Sequence, residues 1–170
     1  WVGTAFPTNA SAQDADMSLR QYEKFVYEAG YLHMEDPAAI WRKFNAAQEK
    51  VCGFLQGKKV VRFRVPAGDG PAGRHDGTDL TVNVDGSTWI NCSGLNNFPD
   101  GEVFAGPKGV DGHVNYTFPA VYNGREVEGV RLIFKGGRVV DATAKKGEDF
   151  LHQMLDQDAG ARVLGDGSTP

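Results

Sequence analysis

The chain has 170 residues, 41% hydrophobic and 24% charged, with a net charge of −4 and a pI near 5.5. That length can close a core without disulfide or metal staples, and that composition is not that of a disordered chain. The acidic balance argues against a nucleic-acid or anionic-membrane surface, because basic residues cluster only briefly, as at Lys58 and Lys59; no apolar run is long enough to span a bilayer.

In chain order, the first firm element opens at Ser18, where Ser-Leu-Arg-Gln forms a capping box and Met17 can staple onto Tyr22. Leu19, Tyr22, Phe25, Val26 and Ala29 line one helical face, and Gly30 stops it. Asp36 caps a second helix with Pro37 in its first position; Ile40, Phe44, Ala47, Val51, Phe54 and Leu55 form its apolar stripe up to Gly57. From Lys58 the period changes to two, with Val61, Phe63 and Val65 on one side of a strand and Arg62 and Arg64 on the other. Residues 66–77 are dense in Gly, Pro and Asp and read as a loop.

Leu80, Val82 and Val84 alternate up to Asp85-Gly86, a hairpin signal from which Thr88, Trp89 and Ile90 return. Pro99, Asp100 and Gly101 suit a tight turn and read as a hairpin connection. Val114, Tyr116 and Phe118 suggest a further strand, and hairpins turn at Asn123-Gly124 and Gly136-Gly137. Phe150, Leu151, Met154 and Leu155 support a closing helix, followed by a short turn at 158–162.

Helices first, hairpins next and one helix last imply an α+β fold, with N-terminal helices packed on a hairpin-rich, mainly antiparallel sheet and a closing helix. The organisation divides into a helical lobe with the first strand over 1–65, a loop or seam over 66–78, a sheet-rich part over 79–165 and a frayed tail over 166–170. Cys52 and Cys92 share no metal spacing and read as free thiols used for packing. The absence of a signal peptide points to the cytoplasm, and a chain opening on Trp1 reads as a fragment.

Glu102 is the most informative single residue. In the strand after the Pro-Asp-Gly turn it shares a face with Phe104, while Val103 points the other way. A carboxylate beside aromatic rings loses hydration unless a cation or donor replaces the water. Residue types leave its partner open between an arginine, a metal ion and solvent, with solvent the simplest reading. His75-Asp76 and Thr78-Asp79 offer an imidazole and carboxylates in a glycine-rich loop, where capping is the simpler role. His113 reads as exposed or satisfied, and His33 and His152 lack a second ligand at one-turn spacing. No P-loop, dinucleotide fingerprint or nucleophile elbow occurs.

Four separated segments, Gly77-Thr78-Asp79-Leu80, Asn97-Phe98-Pro99-Asp100-Gly101-Glu102-Val103-Phe104, Phe134-Lys135-Gly136-Gly137-Arg138-Val139-Val140 and Asp158-Ala159-Gly160-Ala161-Arg162-Val163-Leu164-Gly165, together resemble the aminopeptidase T family of metallopeptidases. The resemblance implies a cytoplasmic, two-metal exopeptidase that removes N-terminal amino acids from peptides, and a homodimer, since family members are dimers. The metals are of the zinc, cobalt or magnesium kind, and 79–165 is then part of the peptidase domain. It implies that Glu102 is a metal ligand, and that the family's second glutamate, after Leu-Gly, falls at Asp166, one methylene shorter. The family's remaining ligands, histidines with a tyrosine and an aspartate, lie in a further segment that these residues do not include. The expectation is therefore a fragment inactive alone and unable to bind both metals fully, with no catalytic residue of its own and a substrate site that the sequence does not define. The alternative is a non-catalytic peptide-binding or assembly module of the same ancestry.

Overall fold

The computed structural model describes residues 1–164. Along the chain lie β1 (Gly3–Thr4), α1 (Asn9–Asp14), α2 (Leu19–Ala29), α3 (Pro37–Leu55), β2 (Val60–Val65), β3 (Gly68–Gly70), β4 (Gly73–His75), β5 (Thr78–Asn83) and β6 (Ile90–Cys92). They are followed by β7 (Asn97–Phe98), β8 (Glu102–Phe104), β9 (Gly109–Asn115), β10 (Ala120–Tyr122), β11 (Arg125–Val127), β12 (Arg131–Lys135), β13 (Arg138–Thr143) and α4 (Glu148–Leu155). The fold is α+β, with mainly antiparallel pairing and a closing helix. It forms two compact units, one of Trp1–Gln56 with Thr88–Ala105, the other of Gly57–Ser87 with the chain from Gly106 onward.

In the first unit the helix starts follow capping chemistry. Gln21 N donates to Ser18 Oγ at 3.4 Å and Ser18 N to Gln21 Oε1 at 3.0 Å, which is the capping box read from sequence. Asp36 Oδ1 accepts from Ala39 N at 2.8 Å, with Pro37 opening α3. The short α1, capped by Thr8, is an addition to the sequence reading. Helix α3 does not bury the expected apolar stripe: Ala47, Val51 and Phe54 are exposed, and the buried residues are Gln48 and Cys52. Polar side chains win this face because the strands beside it present main-chain carbonyls, which need donors once they leave water.

Two hairpin expectations are also corrected. At Asp85-Gly86 the chain turns, with Ser87 N donating to Val84 O at 3.0 Å, but β6 does not return along β5. It pairs antiparallel with β8 instead, in the register Ile90↔Phe104, Asn91↔Val103 and Cys92↔Glu102. Pro99-Asp100-Gly101 is therefore a corner inside the long β6–β8 connection and no tight hairpin, since β7 pairs in parallel with β1.

The second unit holds a five-stranded antiparallel sheet in the order β13-β12-β9-β5-β2. The first strand, grouped by sequence with the helical lobe, is thus an edge of this sheet; within 66–78 the short β3–β4 ribbon belongs to the same unit and is no seam between units. One sheet face carries Val110, Phe134, Val139 and Ala142, all buried, with Leu151 and Leu155 of α4 packed against them. Arg64, Asp79 and His113 align in one register row across the sheet, a row apart from the core-facing Leu80 and Val82. The Asn123-Gly124 and Gly136-Gly137 turns make the hairpins β10–β11 and β12–β13, as expected. Beyond α4, Asp158 Oδ1 accepts from Gly160 N and Ala161 N at 2.7 and 2.8 Å, and Leu164 N donates to Gly137 O at 2.9 Å.

Gly112 sits where β9 and β5 approach most closely: its φ is +111°, and an added Cβ would lie 2.1 Å from Asp79 O. A side chain there meets both a strained backbone and a carbonyl that cannot move away. Gly112→Ala is expected to lower stability by about 3 kcal/mol, whereas Gly124→Ala, also left-handed but in open space, costs about 1 kcal/mol. Urea denaturation of the two variants checks the difference.

Candidate metal centre

Glu102 opens β8, directly across from Cys92 on β6, so the two side chains share one face of the strand pair. The corner before β8 adds Asp100, and one ligand atom from each of Cys92, Asp100 and Glu102 lies within 4.8 Å of the other two. Cys92 and Asp100 are half-buried and Glu102 is exposed. Helix α3 fixes this geometry through amides. Gln48 Nε2 donates to Cys92 O at 3.3 Å and to Glu102 O at 2.6 Å, tying both strands to one side chain. Asn91 Nδ2 donates to Asn45 O at 3.2 Å and to Glu49 Oε1 at 2.7 Å, and Asn45 Nδ2 donates to Ser93 Oγ at 2.6 Å. Asp100 is held in turn by Gly101 N at 2.8 Å and Gly94 N at 3.3 Å.

Burial pushes the Cys92 thiol above its ordinary value, and the neighbouring Asp100 and Glu102 carboxylates, with Cys52, push it further. Among the described residues no lysine, arginine or histidine pairs with Asp100 or Glu102. The donor set suits a divalent cation. Two carboxylate oxygens and one sulfur are donor types that zinc-like ions accept.

Sequence reasoning singled out Glu102 but read Cys92 as a packing thiol and Asp100 as a turn residue. The missed signal was the register of β6 with β8, which sets Cys92 opposite Glu102 and which no local pattern reveals. Asp166, the other predicted ligand, lies outside the described residues. A cavity of about 560 Å³ opens between α3 and the segment that follows β6, lined by Trp41, Asn45, Ser93, Gly94, Leu95 and Phe98. Trp41 contacts the Tyr31, Phe44 and Phe98 rings at 5.9, 5.6 and 5.7 Å, and its indole N–H donates to Gly30 O at 3.0 Å.

Among the loop candidates, Asp76 and Asp79 are used differently from their expected capping role. Asp76 accepts from Arg131 Nη2 at 2.8 Å and Asn115 Nδ2 at 2.7 Å; Asp79 accepts from Arg62 Nε and Nη2 at 2.8 and 2.7 Å. His75 Nδ1 accepts from Gly77 N at 3.1 Å. His113 departs from the exposed or satisfied reading: its Nε2 is buried without a hydrogen-bond partner among the described residues, 3.9 Å from Asp76 Oδ2. Asp76, Asp79 and His113, with Arg64 and Thr78, line a polar cavity of about 530 Å³. Among the described residues they do not assemble a metal-ligand trio.

The hydrogen bonds from Arg131 and Asn115 hold the Asp76 carboxyl well below the usual carboxylate range. A depressed folded pKa contributes stability that is present above the unfolded value of about 3.9 and is lost as pH falls through the folded one. Asp76→Asn is therefore expected to melt below the wild type at neutral pH, with the gap closing towards about pH 2, by a modest amount because solvent screens this half-exposed pair. Thermal melts across that range check the convergence; a gap that widens in acid contradicts it.

Residues 1–168 match the sequence profile of the thermophilic metalloprotease (M29) family. Aminopeptidase 2 of Geobacillus stearothermophilus is 34% identical over 98% of this chain and 42% of its own length. Aminopeptidase AmpS of Bacillus subtilis (strain 168) is 40% identical over 98% of this chain and 40% of its own. The structure of wild-type AmpT from Thermus thermophilus superposes with a TM-score of 0.63 at 29% identity, over 85% of this chain and 37% of that one. The chain thus spans about two fifths of the length of the curated relatives it matches.

Proposed function

Because the chain belongs to the thermophilic metalloprotease (M29) family, we propose that it is part of a metal-dependent aminopeptidase in which Glu102 is a metal ligand. The observation that carries this reading is an exposed glutamate carboxylate grouped with a thiol and a second carboxylate, with no cationic side chain to neutralise it among the described residues. The relatives' printed names supply the reaction class, removal of amino acids from peptides.

When bound, a divalent ion polarises a peptide carbonyl and lowers the pKa of water, so that attack becomes possible near neutral pH. The residues of this chain have three tasks. Glu102 presents an oxygen from the open side of the strand pair. Asp100, fastened by two main-chain N–H groups, adds negative charge that attracts both a cation and the α-ammonium of a peptide. Gln48 keeps the main chain of both strands in place.

The remainder of the reading follows the family resemblance: two metal ions completed by ligands outside these residues, Asp166 as a second carboxylate, cytoplasmic location, a homodimer, and a chain inactive by itself. Among the described residues no helix is long and apolar enough to cross a membrane. Isothermal calorimetry of the chain with zinc is expected to show one weak site, with Glu102→Ala at least about tenfold weaker, or about 1.4 kcal/mol. No hydrolysis of leucine p-nitroanilide is expected. Equal zinc affinity in the variant contradicts the assignment of Glu102, and chelator-sensitive turnover lost in Glu102→Ala contradicts inactivity.

A further inference from the structure

Resting on the reading of Glu102 as a metal ligand, we propose that Cys92 is a second ligand to the same ion, so that this position takes a zinc- or cobalt-type cation in preference to magnesium. The register places the thiol directly across from Glu102, and its sulfur belongs to the trio of ligand atoms lying within 4.8 Å of one another. That spread allows a single ion to be reached from all three, since Zn–S and Zn–O bonds of about 2.3 and 2.0–2.2 Å can meet at a common centre.

The surroundings of the thiol favour the same conclusion. Cys92 lies between Asn91 and Ser93, whose side chains are committed to α3 through Asn45 and Glu49, while its own side chain falls on the face shared with Glu102. Two carboxylates crowd a half-buried sulfur, so a cation among them would meet all three donors. Cys52 differs: it is buried on α3 and belongs to no such trio among the described residues. A sulfur in the donor set selects the metal class, because thiolate ligands favour borderline and soft ions, whereas magnesium keeps oxygen ligands and its waters.

The test is cobalt(II) titration of the whole chain in the absence of oxygen, followed by visible and near-ultraviolet absorption. The expected result is a cobalt ligand-field spectrum together with a thiolate-to-cobalt charge-transfer band. Cys92→Ser should lose the band and bind cobalt at least about tenfold more weakly, whereas Cys52→Ala should keep both. Hundredfold excess magnesium should leave the band unchanged. Cobalt binding that depends on Glu102 but shows no charge-transfer band overturns the role of Cys92 and leaves that of Glu102 standing. A band lost in Cys92→Ser but unaltered in Glu102→Gln overturns the underlying reading of Glu102. Should Cys92→Ser fail to fold by circular dichroism, the wild-type band and its resistance to magnesium decide alone: a missing band, or one bleached by magnesium, overturns the proposal.

Discussion

Gln48 lies on the buried face of α3, and its Nε2 donates to the main-chain carbonyls of Cys92 and Glu102 at 3.3 and 2.6 Å. Two short strands thereby share one anchor from a helix distant in sequence, and the side chains opposite each other across them are brought together. A pair of three-residue strands has little stability of its own. Its register depends on what packs behind it, and here that is a polar helix face. The amide satisfies strand carbonyls that burial would otherwise leave unpaired. It does so at some cost, since its own Oε1 is buried with no partner among the described residues.

The two groups of acidic residues in the chain show how the same side chain serves different ends. Asp76 and Asp79 sit on or beside the five-stranded sheet, each holding an arginine through paired hydrogen bonds at 2.7 to 3.1 Å. Their charge is neutralised within the protein, so they contribute to fixing the polar face of the sheet and have little left for a cation. Asp100 and Glu102 have no such partner among the described residues. Their field falls instead on the Cys92 thiol. Charge left uncompensated is the feature that separates a candidate centre from a structural ion pair.

Local signals in the sequence identified what local chemistry determines. The Ser18 capping box, the Asp36-Pro37 start, the two glycine turns at 123–124 and 136–137 and the α+β class are all set by neighbours in the chain. Helix α1 was missed because six residues are too few for a periodic stripe. The Asp85-Gly86 hairpin failed because a turn signal states only that the chain reverses, and the pairing of β6 with β8 is decided by α3 across forty or more residues. Glu102 was singled out through the family resemblance, whereas Cys92 and Asp100 gather beside it only through that long-range register. Asp76 and Asp79 were read as turn caps because their arginine partners, Arg131 and Arg62, lie in other strands.

Zinc-edge anomalous diffraction from crystals of this chain soaked in zinc tests the central claim most directly. The account predicts an anomalous peak about 2.0–2.2 Å from a Glu102 carboxylate oxygen, with Asp100 in the same shell of density. A peak confined to the Asp76 and His113 cavity, or none near Glu102 at saturating zinc, would contradict it.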